Sequence, residues 1–483
     1  MTQSRHFSRS AHFLVAMAFC AALQATAGAR AGDVVRPCQI EVVEKGSRWP
    51  VPMVELETTN SVKFVTDNAG RVAFDLTEFM GGETWLSVSS DGYEVSADGF
   101  GKRGMRFTPK PGETFTIEVN RTSVAKRIGR LTGAGLFGES QKLGLEKDWK
   151  ESGIVGCDSI QNAIHSGRMY WFWGDTIPQR YPLGVYDSTG ATTDIRPLKS
   201  FEPPLRPSFF DFIADASGRP RGVAKMPGSG PTWLVGTVTL PDKTGKERLV
   251  ATYIKSKPPM EVYETGLCAW NDETSNFEFV RKLWTKTDAS PKHPLMPTMH
   301  AVIIDGDDGQ KWAVFGNPLP TLKCRATFEA WQDPAQWQKL EPQHELISAS
   351  DGKPIEPNAG SIAWSPYRKR WVTVFLQTFG APSGFGEVWY AEADSPFGPW
   401  GRAVKILSHA NYSFYNPRVH PEFTADDSPV LLFEGTHSQT FANHPTPTPR
   451  YDYNQILYRV DLDDAKLDGA HGDNTSAVGN TGR

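Results

Sequence analysis

Five short, strongly apolar runs recur along the C-terminal two thirds of the chain: Tyr170–Trp173, Leu249–Ile254, Trp312–Phe315, Trp371–Phe375 and Val430–Phe433. The first spacing is near 80 residues and the others are near 60. Another apolar run precedes each, as in Trp233–Leu240, Ala301–Ile304 and Ser361–Trp364. A third follows: Gly266–Trp270, Ala326–Trp331, Glu387–Ala391 and Gln455–Val460. That third run gives way to an acidic turn and an aromatic, as in Asn271-Asp272-Glu273 before Phe277 and Gln332-Asp333-Pro334 before Trp337. Such a turn ends one strand and lets the aromatic pin the next. Each unit therefore reads as about four antiparallel strands. No unit can bury both faces alone, so the units must stack against one another. The fold class expected is all-β, with a five-bladed β-propeller over residues 130–463. The repeated order of features at near-constant period disfavours a two-sheet jelly roll. Residues 130–150 are expected to add a strand that closes the ring. Residues 464–483, rich in Gly, Asn, Asp and Ser, read as a disordered tail.

Upstream, residues 34–125 read as a small β-sandwich that precedes the propeller. Val51–Thr59 alternates at period two, and Val62–Phe74 is two strand-like runs around an Asp-Asn-Ala-Gly turn. Thr84–Val88 and Thr114–Val119 supply further strands, and seven strands suffice for such a fold. With its Thr66-Asp67-x-x-Gly70 turn between two strands, the segment resembles the carboxypeptidase-regulatory or transthyretin-like sandwich, which implies an accessory role.

Residues 1–29 meet the requirements of a secretory signal peptide. Arg5 and Arg9 open it, Phe13–Leu23 is its apolar core, and Ala25-Thr26-Ala27 or Ala27-Gly28-Ala29 would serve for cleavage. A secreted or periplasmic location is expected. No later run is long and apolar enough for a membrane helix. The formal net charge is −4 and becomes more negative once the two signal-peptide arginines leave, which argues against a nucleic-acid partner. Cys38, Cys157, Cys268 and Cys324 are widely spaced with no CxxC, so scattered buried thiols are favoured over two disulfides.

Propeller topology then sorts the polar residues. The start of a blade's first strand and the end of its second lie on the same face. Second-strand ends give Asp175, Lys255, Asn317, Gln377 and Glu434. First-strand starts give Asp158, His300, Asn358, Ser361, Asn416, Arg418 and His420. Blades one and five meet where the ring closes, which would gather Asp158, Asp175, Glu434, Arg418 and His420. Carboxylates held together move one another's pKa values apart, making one an acid and another a base. Glycosidic hydrolysis needs such a pair at roughly 5–10 Å. Asp158 is the expected base or nucleophile, with Glu434 or Asp175 as the acid. Arg418, His420, His300, Asn416 and Tyr415 are the expected substrate-binding residues. Tyr412 and Tyr415 are the better candidates for stacking on a sugar face. His165, His300, His420 and His437 are too dispersed to form a metal site, so no metal and no cofactor is expected, with room only for a structural pore cation. Nucleotide-binding, HExxH and GxSxG motifs are absent from the sequence.

Two segments carry a family resemblance: Glu387–Trp400, a strand followed by an acidic turn and Gly398-Pro399-Trp400, and Trp171-Phe172-Trp173-Gly174-Asp175-Thr176. The first resembles the five-bladed propeller glycoside hydrolases, a group of arabinanases, xylosidases and fructan-cleaving enzymes. The second resembles the strand-GDT opening of endo-D-arabinanase-like propellers. The resemblance covers roughly residues 150–463 and implies an exported glycoside hydrolase acting on an oligo- or polysaccharide. Asp158 matches the aspartate that opens blade one in the arabinanase-type enzymes. The other two family carboxylates have no match, because blade two opens at Pro231-Thr232-Trp233 without an acid and blade three opens at Met299-His300. Two alternatives stay open. One is a non-catalytic carbohydrate-binding propeller. The other is a polysaccharide lyase in which His300 or His420 with a tyrosine abstracts a proton.

Overall fold

The computed structural model describes residues 36–180, 184–341, 344–410, 412–425, 427–439, 442, 450 and 452–471. The expected signal peptide, 1–29, and residues 472–483 of the expected tail lie outside the described residues. Nearly all regular structure is strand. The α-helices among the described residues are single turns, Gly138–Lys142 and Phe328–Trp331.

Two four-stranded sheets come first. One runs Arg71–Phe74, Cys38–Glu44, Thr114–Arg121, Tyr93–Glu94, and the other Lys63–Val65, Glu55–Thr58, Thr84–Ser89, Gly104–Phe107. That is eight strands where seven were expected, because the two-residue Tyr93–Glu94 strand is too short to alternate visibly. Period-two alternation turns Ile40, Val42, Leu56, Val72, Leu86 and Ile117 into one shared core. The Asp67–Gly70 turn docks this unit onto the rest. Asp67 accepts from the Ala69 amide and, through its other oxygen, from the Ser140 amide at 2.7 Å. Asn68 donates to the Arg130 and Leu205 carbonyls. Gly70 closes the turn at φ +68, and a Cβ there would lie 2.6 Å from the Val42 carbonyl, so only glycine fits.

Five units of four consecutive antiparallel strands follow, here called sheets one to five, and the five apolar runs are their second strands. The second and third join into one eight-stranded sheet through a parallel Thr237–His300 pairing, and the fourth gains a parallel edge strand, His344–Ser348. Ile154–Cys157 pairs with Thr176–Pro178 in a two-stranded sheet beside the first. The first strands are Ile160–His165, Thr232–Pro241, His300–Asp305, Pro357–Ser365 and Ser413–Val419. Each of these touches the next along the chain. The fifth also meets the first, where Arg418 Nε donates to Asn162 Oδ1 at 2.7 Å. Trp171, Phe172 and Trp173 are almost fully buried between sheets, each contributing on the order of 1.5–3 kcal/mol.

Three details differ from the sequence expectation. The fourth strand of the last sheet is Lys126–Arg130, paired with Asn454–Asp461, rather than a strand within 130–150. Residues 326–331, expected to be a strand, hold the helix Phe328–Trp331, because Thr327 caps its N-terminus by accepting from the Ala330 amide. The third strand is instead Pro320–Arg325. Residues 464–471, expected to open the tail, include the 3-10 turn Ala465–Ala470, whose Leu467 and Ala470 are buried. The four described cysteines are all buried and free.

Candidate active site

The first strand of sheet one begins just after Asp158, and the second ends just before Asp175. The Asp158 amide donates to the Asp175 carbonyl at 3.1 Å. The Gly174 amide donates to the Ser159 carbonyl at 3.1 Å. Seventeen residues of chain thus return to one point. A Cβ on Gly174 would come within 3.0 Å of the Asp158 Cβ, so glycine there leaves the aspartate its room.

The two aspartates have unlike surroundings. Asp158 Oδ1 accepts from the Ser159 amide at 2.5 Å and from the Ser159 hydroxyl at 2.7 Å. Its Oδ2 accepts from the Tyr453 hydroxyl at 3.0 Å, and Tyr415 also hydrogen-bonds to this carboxylate. Asn416 donates to Ser159 Oγ, which fixes the relay from the fifth sheet. Burial, with the Asp158 charge in support, pushes both tyrosine hydroxyls far above their ordinary range, so they stay protonated and donate. Tyr453 and Asn416 sit at φ +60 and +53. Left-handed backbone of this kind at a non-glycine residue costs on the order of 1–3 kcal/mol and tends to cluster at functional sites.

The Asp175 carboxylate accepts from Trp233 Nε1 at 2.8 Å. Burial raises its pKa, and the nearby Asp158 charge raises it further against the opposing indole donor. One carboxyl is therefore ringed by donors while its neighbour is biased towards the protonated acid.

The other expected site residues form a second, buried group. His420 Nε2 lies 2.8 Å from Glu434 Oε1, and Asn162 Nδ2 lies 3.2 Å from His420 Nδ1. With the amide so oriented, the ring carries its proton on Nε2 and donates it to Glu434. Arg418 reaches Asn162 and Glu422. Glu434 is 0% exposed and its Oε2 has no partner. No hydrogen bond joins it to either aspartate among the described residues. His300 is buried, and its Nε2 is unpartnered. Burial first, then the Arg418 charge, holds His300 neutral. Asp158, Asp175, Tyr415 and Asn416 thus come together, whereas Glu434, His420, Arg418 and His300 pack beneath the surface.

Sequence reasoning did not single out Tyr453, Ser159 or Asp187. Only Tyr453's place just before an apolar run could have flagged it. Asp187 lies beside Thr232 and near Lys255, a lysine buried with its Nζ 2.8 Å from the Gly230 carbonyl. Burial pushes the Asp187 carboxyl up to about 7 against two backbone donors, Ser188 and Ala224. A folded-state pKa raised from 3.8 means that stability is complete at acid pH and is lost as pH rises towards and through about 7. Asp187→Asn is therefore expected to stabilise the protein at pH 8 and not at pH 4. The gain should be about 1–2 kcal/mol after allowing for the lost attraction to Lys255. Thermal melts at the two pH values check this, and an equal shift at both would refute it.

A cavity of about 300 Å³ borders the same strand end through Thr176, with Ile154, Pro178, Val185 and Arg219 in its wall, and none of these carboxylates lines it.

No family model matches the chain, and no curated protein matches it. Solved structures similar to it include an exo-1,5-alpha-L-arabinanase from a bovine ruminal metagenomic library, 11% identical over 64% of this chain and 94% of that one, TM-score 0.37. Another is a GH43_1 enzyme from Xanthomonas citri, 8% identical over 70% of this chain and 90% of that one, TM-score 0.34. A third is the GH43 endo-arabinanase from Bacillus licheniformis, 10% identical over 64% of this chain and 94% of that one, TM-score 0.35. These likenesses are too distant to assign a family.

Proposed function

We propose that the protein is an exported glycan-active enzyme, a glycoside hydrolase, whose working carboxylates are Asp158 and Asp175. On this reading the five sheets close into a five-bladed propeller, the site opens at the junction of the first and fifth blades, and the two N-terminal sheets are an accessory sandwich. The observation that carries the reading is the asymmetry of two aspartates joined through one backbone hydrogen bond. Asp158 receives hydroxyl and amide donors, whereas Asp175 is biased towards its acid form. Two carboxyls in such unlike surroundings divide the labour of acid and base.

Asp175 protonates the oxygen leaving with the departing sugar. Asp158 either attacks the anomeric carbon or takes a proton from the water that does, depending on the carboxylate separation. The Trp233 indole positions Asp175, and Tyr415 and Tyr453 hold Asp158 while presenting aromatic surface beside the sugar. Reducing-end release from a panel of neutral and uronic polysaccharides tests this. Product absorbing in the ultraviolet through a new double bond would instead indicate a lyase. Glycan binding without turnover would indicate a binding module.

The Trp233 contact gives a sharper expectation. Its hydrogen bond lowers the Asp175 pKa against the effect of burial. Trp233→Phe removes the donor, so Asp175 keeps its proton to higher pH. The alkaline limb of the kcat/KM profile is expected to move upward in the variant, and a downward move would count against Asp175 as the acid.

A further inference from the structure

Asp91, His409 and His437 come from three separate units of the fold. Asp91 sits in the turn between Thr84–Ser89 and Tyr93–Glu94 of the N-terminal sheets. His409 directly follows Trp400–Ser408, the fourth strand of the fourth sheet, and His437 lies on Val430–Ser438, the second strand of the fifth. One ligand atom from each lies within 4.8 Å of the other two. Both histidines are at least 98% buried.

His409 is already arranged as a ligand. Its Nε2 lies 3.1 Å from the Tyr458 hydroxyl, and its Nδ1 has no hydrogen-bond partner. A buried polar atom without a partner costs about 1–3 kcal/mol, so it needs an explanation. The Tyr458 contact fixes the ring as outer-shell partners commonly do in metal sites. His437 is held by stacking on Tyr412, with ring centroids 4.3 Å apart. Asp91 Oδ1 accepts from the Ala410 amide at 3.0 Å, which anchors the carboxylate beside the histidines.

We propose that Asp91, His409 and His437 bind a divalent transition-metal cation, zinc by preference, which clasps the N-terminal sheets to the fourth and fifth sheets. Two imidazoles and one carboxylate are a zinc-type donor set. Ligand bonds of about 2.0–2.2 Å require these donors to draw slightly closer around the ion, with water completing a tetrahedron. The two nitrogen donors favour an ion that bonds strongly to imidazole over Ca²⁺ and Mg²⁺, which prefer oxygen ligands. The nearby Arg127 guanidinium is engaged by the Pro52, Met53 and Asp91 carbonyls.

The full-length protein, treated with chelator and dialysed, is titrated with ZnCl₂ by calorimetry and then melted with and without zinc. One zinc per chain is expected, with a raised melting temperature. Asp91→Asn and His437→Gln should each weaken zinc binding by about tenfold or more and abolish the zinc-dependent rise in melting temperature. If His437→Gln does not fold, Asp91→Asn, on a partly exposed turn, decides alone. Wild-type binding well below one zinc per chain, or affinity unchanged in Asp91→Asn, would overturn the proposal. Zinc binding and melting are read without any glycan present, so the result is independent of whether the protein hydrolyses glycans.

Discussion

Asp158→Asn is expected to lower kcat on the responsive polysaccharide by about 10²–10⁴-fold, the range that a positioned acid–base group supplies, while leaving glycan binding and the melting temperature nearly unchanged. The substitution is nearly isosteric. The remaining carbonyl oxygen can still accept from the Ser159 amide and hydroxyl at the positions now 2.5 and 2.7 Å from Oδ1. The new amide nitrogen faces the Tyr453 hydroxyl, which can rotate its proton away and accept instead. What is lost is the ability to attack an anomeric carbon or to take a proton from water. A structural role would give a different signature, with a falling melting temperature and a proportionate loss of binding. Single-turnover rates and binding isotherms on the same preparation separate the two. A variant that turned over at the wild-type rate would remove Asp158 from the mechanism and with it the proposed pair.

The sequence carried the parts of this arrangement that depend on period and topology. Five apolar runs at near-constant spacing each became the second strand of a four-stranded antiparallel unit. The rule that a first-strand start and a second-strand end share a face predicted that Asp158 and Asp175 meet, and their backbones are hydrogen-bonded. The expected meeting of the first and last units likewise brought Asn416 and Tyr415 to Ser159 and Asp158. Depth was not legible. Alternation says which side of a strand a residue faces but not how far it lies from the mouth, so Glu434, Arg418 and His420 were grouped with the aspartates although they pack into the interior. Backbone strain was equally hidden, because nothing around Tyr453 marks a left-handed residue. The Phe328–Trp331 helix was missed because its apolar spacing over one turn also suits a strand, and only the Thr327 cap distinguishes them. Contacts that depend on docking, such as Asp91 against His409, have no local sequence signal at all.

Glu434→Ala is expected to destabilise the protein by about 2–5 kcal/mol, the cost of leaving a buried donor without its acceptor together with the truncation of a fully buried side chain. Glu434 is 0% exposed, bonds to His420 Nε2 at 2.8 Å, and lies opposite Arg418 in the strand register. Without it, the buried His420 Nε2–H loses its acceptor, while Arg418 keeps its contact with Glu422. A cavity the size of the deleted side chain adds to the loss, because neighbouring Phe433 and Leu432 are fixed in packed cores. Glu434→Gln separates structure from chemistry. The glutamine carbonyl can still accept from His420, so most of the stability should return. If Glu434 were the catalytic acid, this variant would lose activity as severely as Asp158→Asn, since an amide cannot donate the required proton. A buried scaffold residue predicts the reverse, with kcat near wild type wherever the variant is folded. Denaturant unfolding of both variants, paired with kcat measured well below their melting temperatures, distinguishes these outcomes. A folded but inactive Glu434→Gln would move the acid from Asp175 to Glu434.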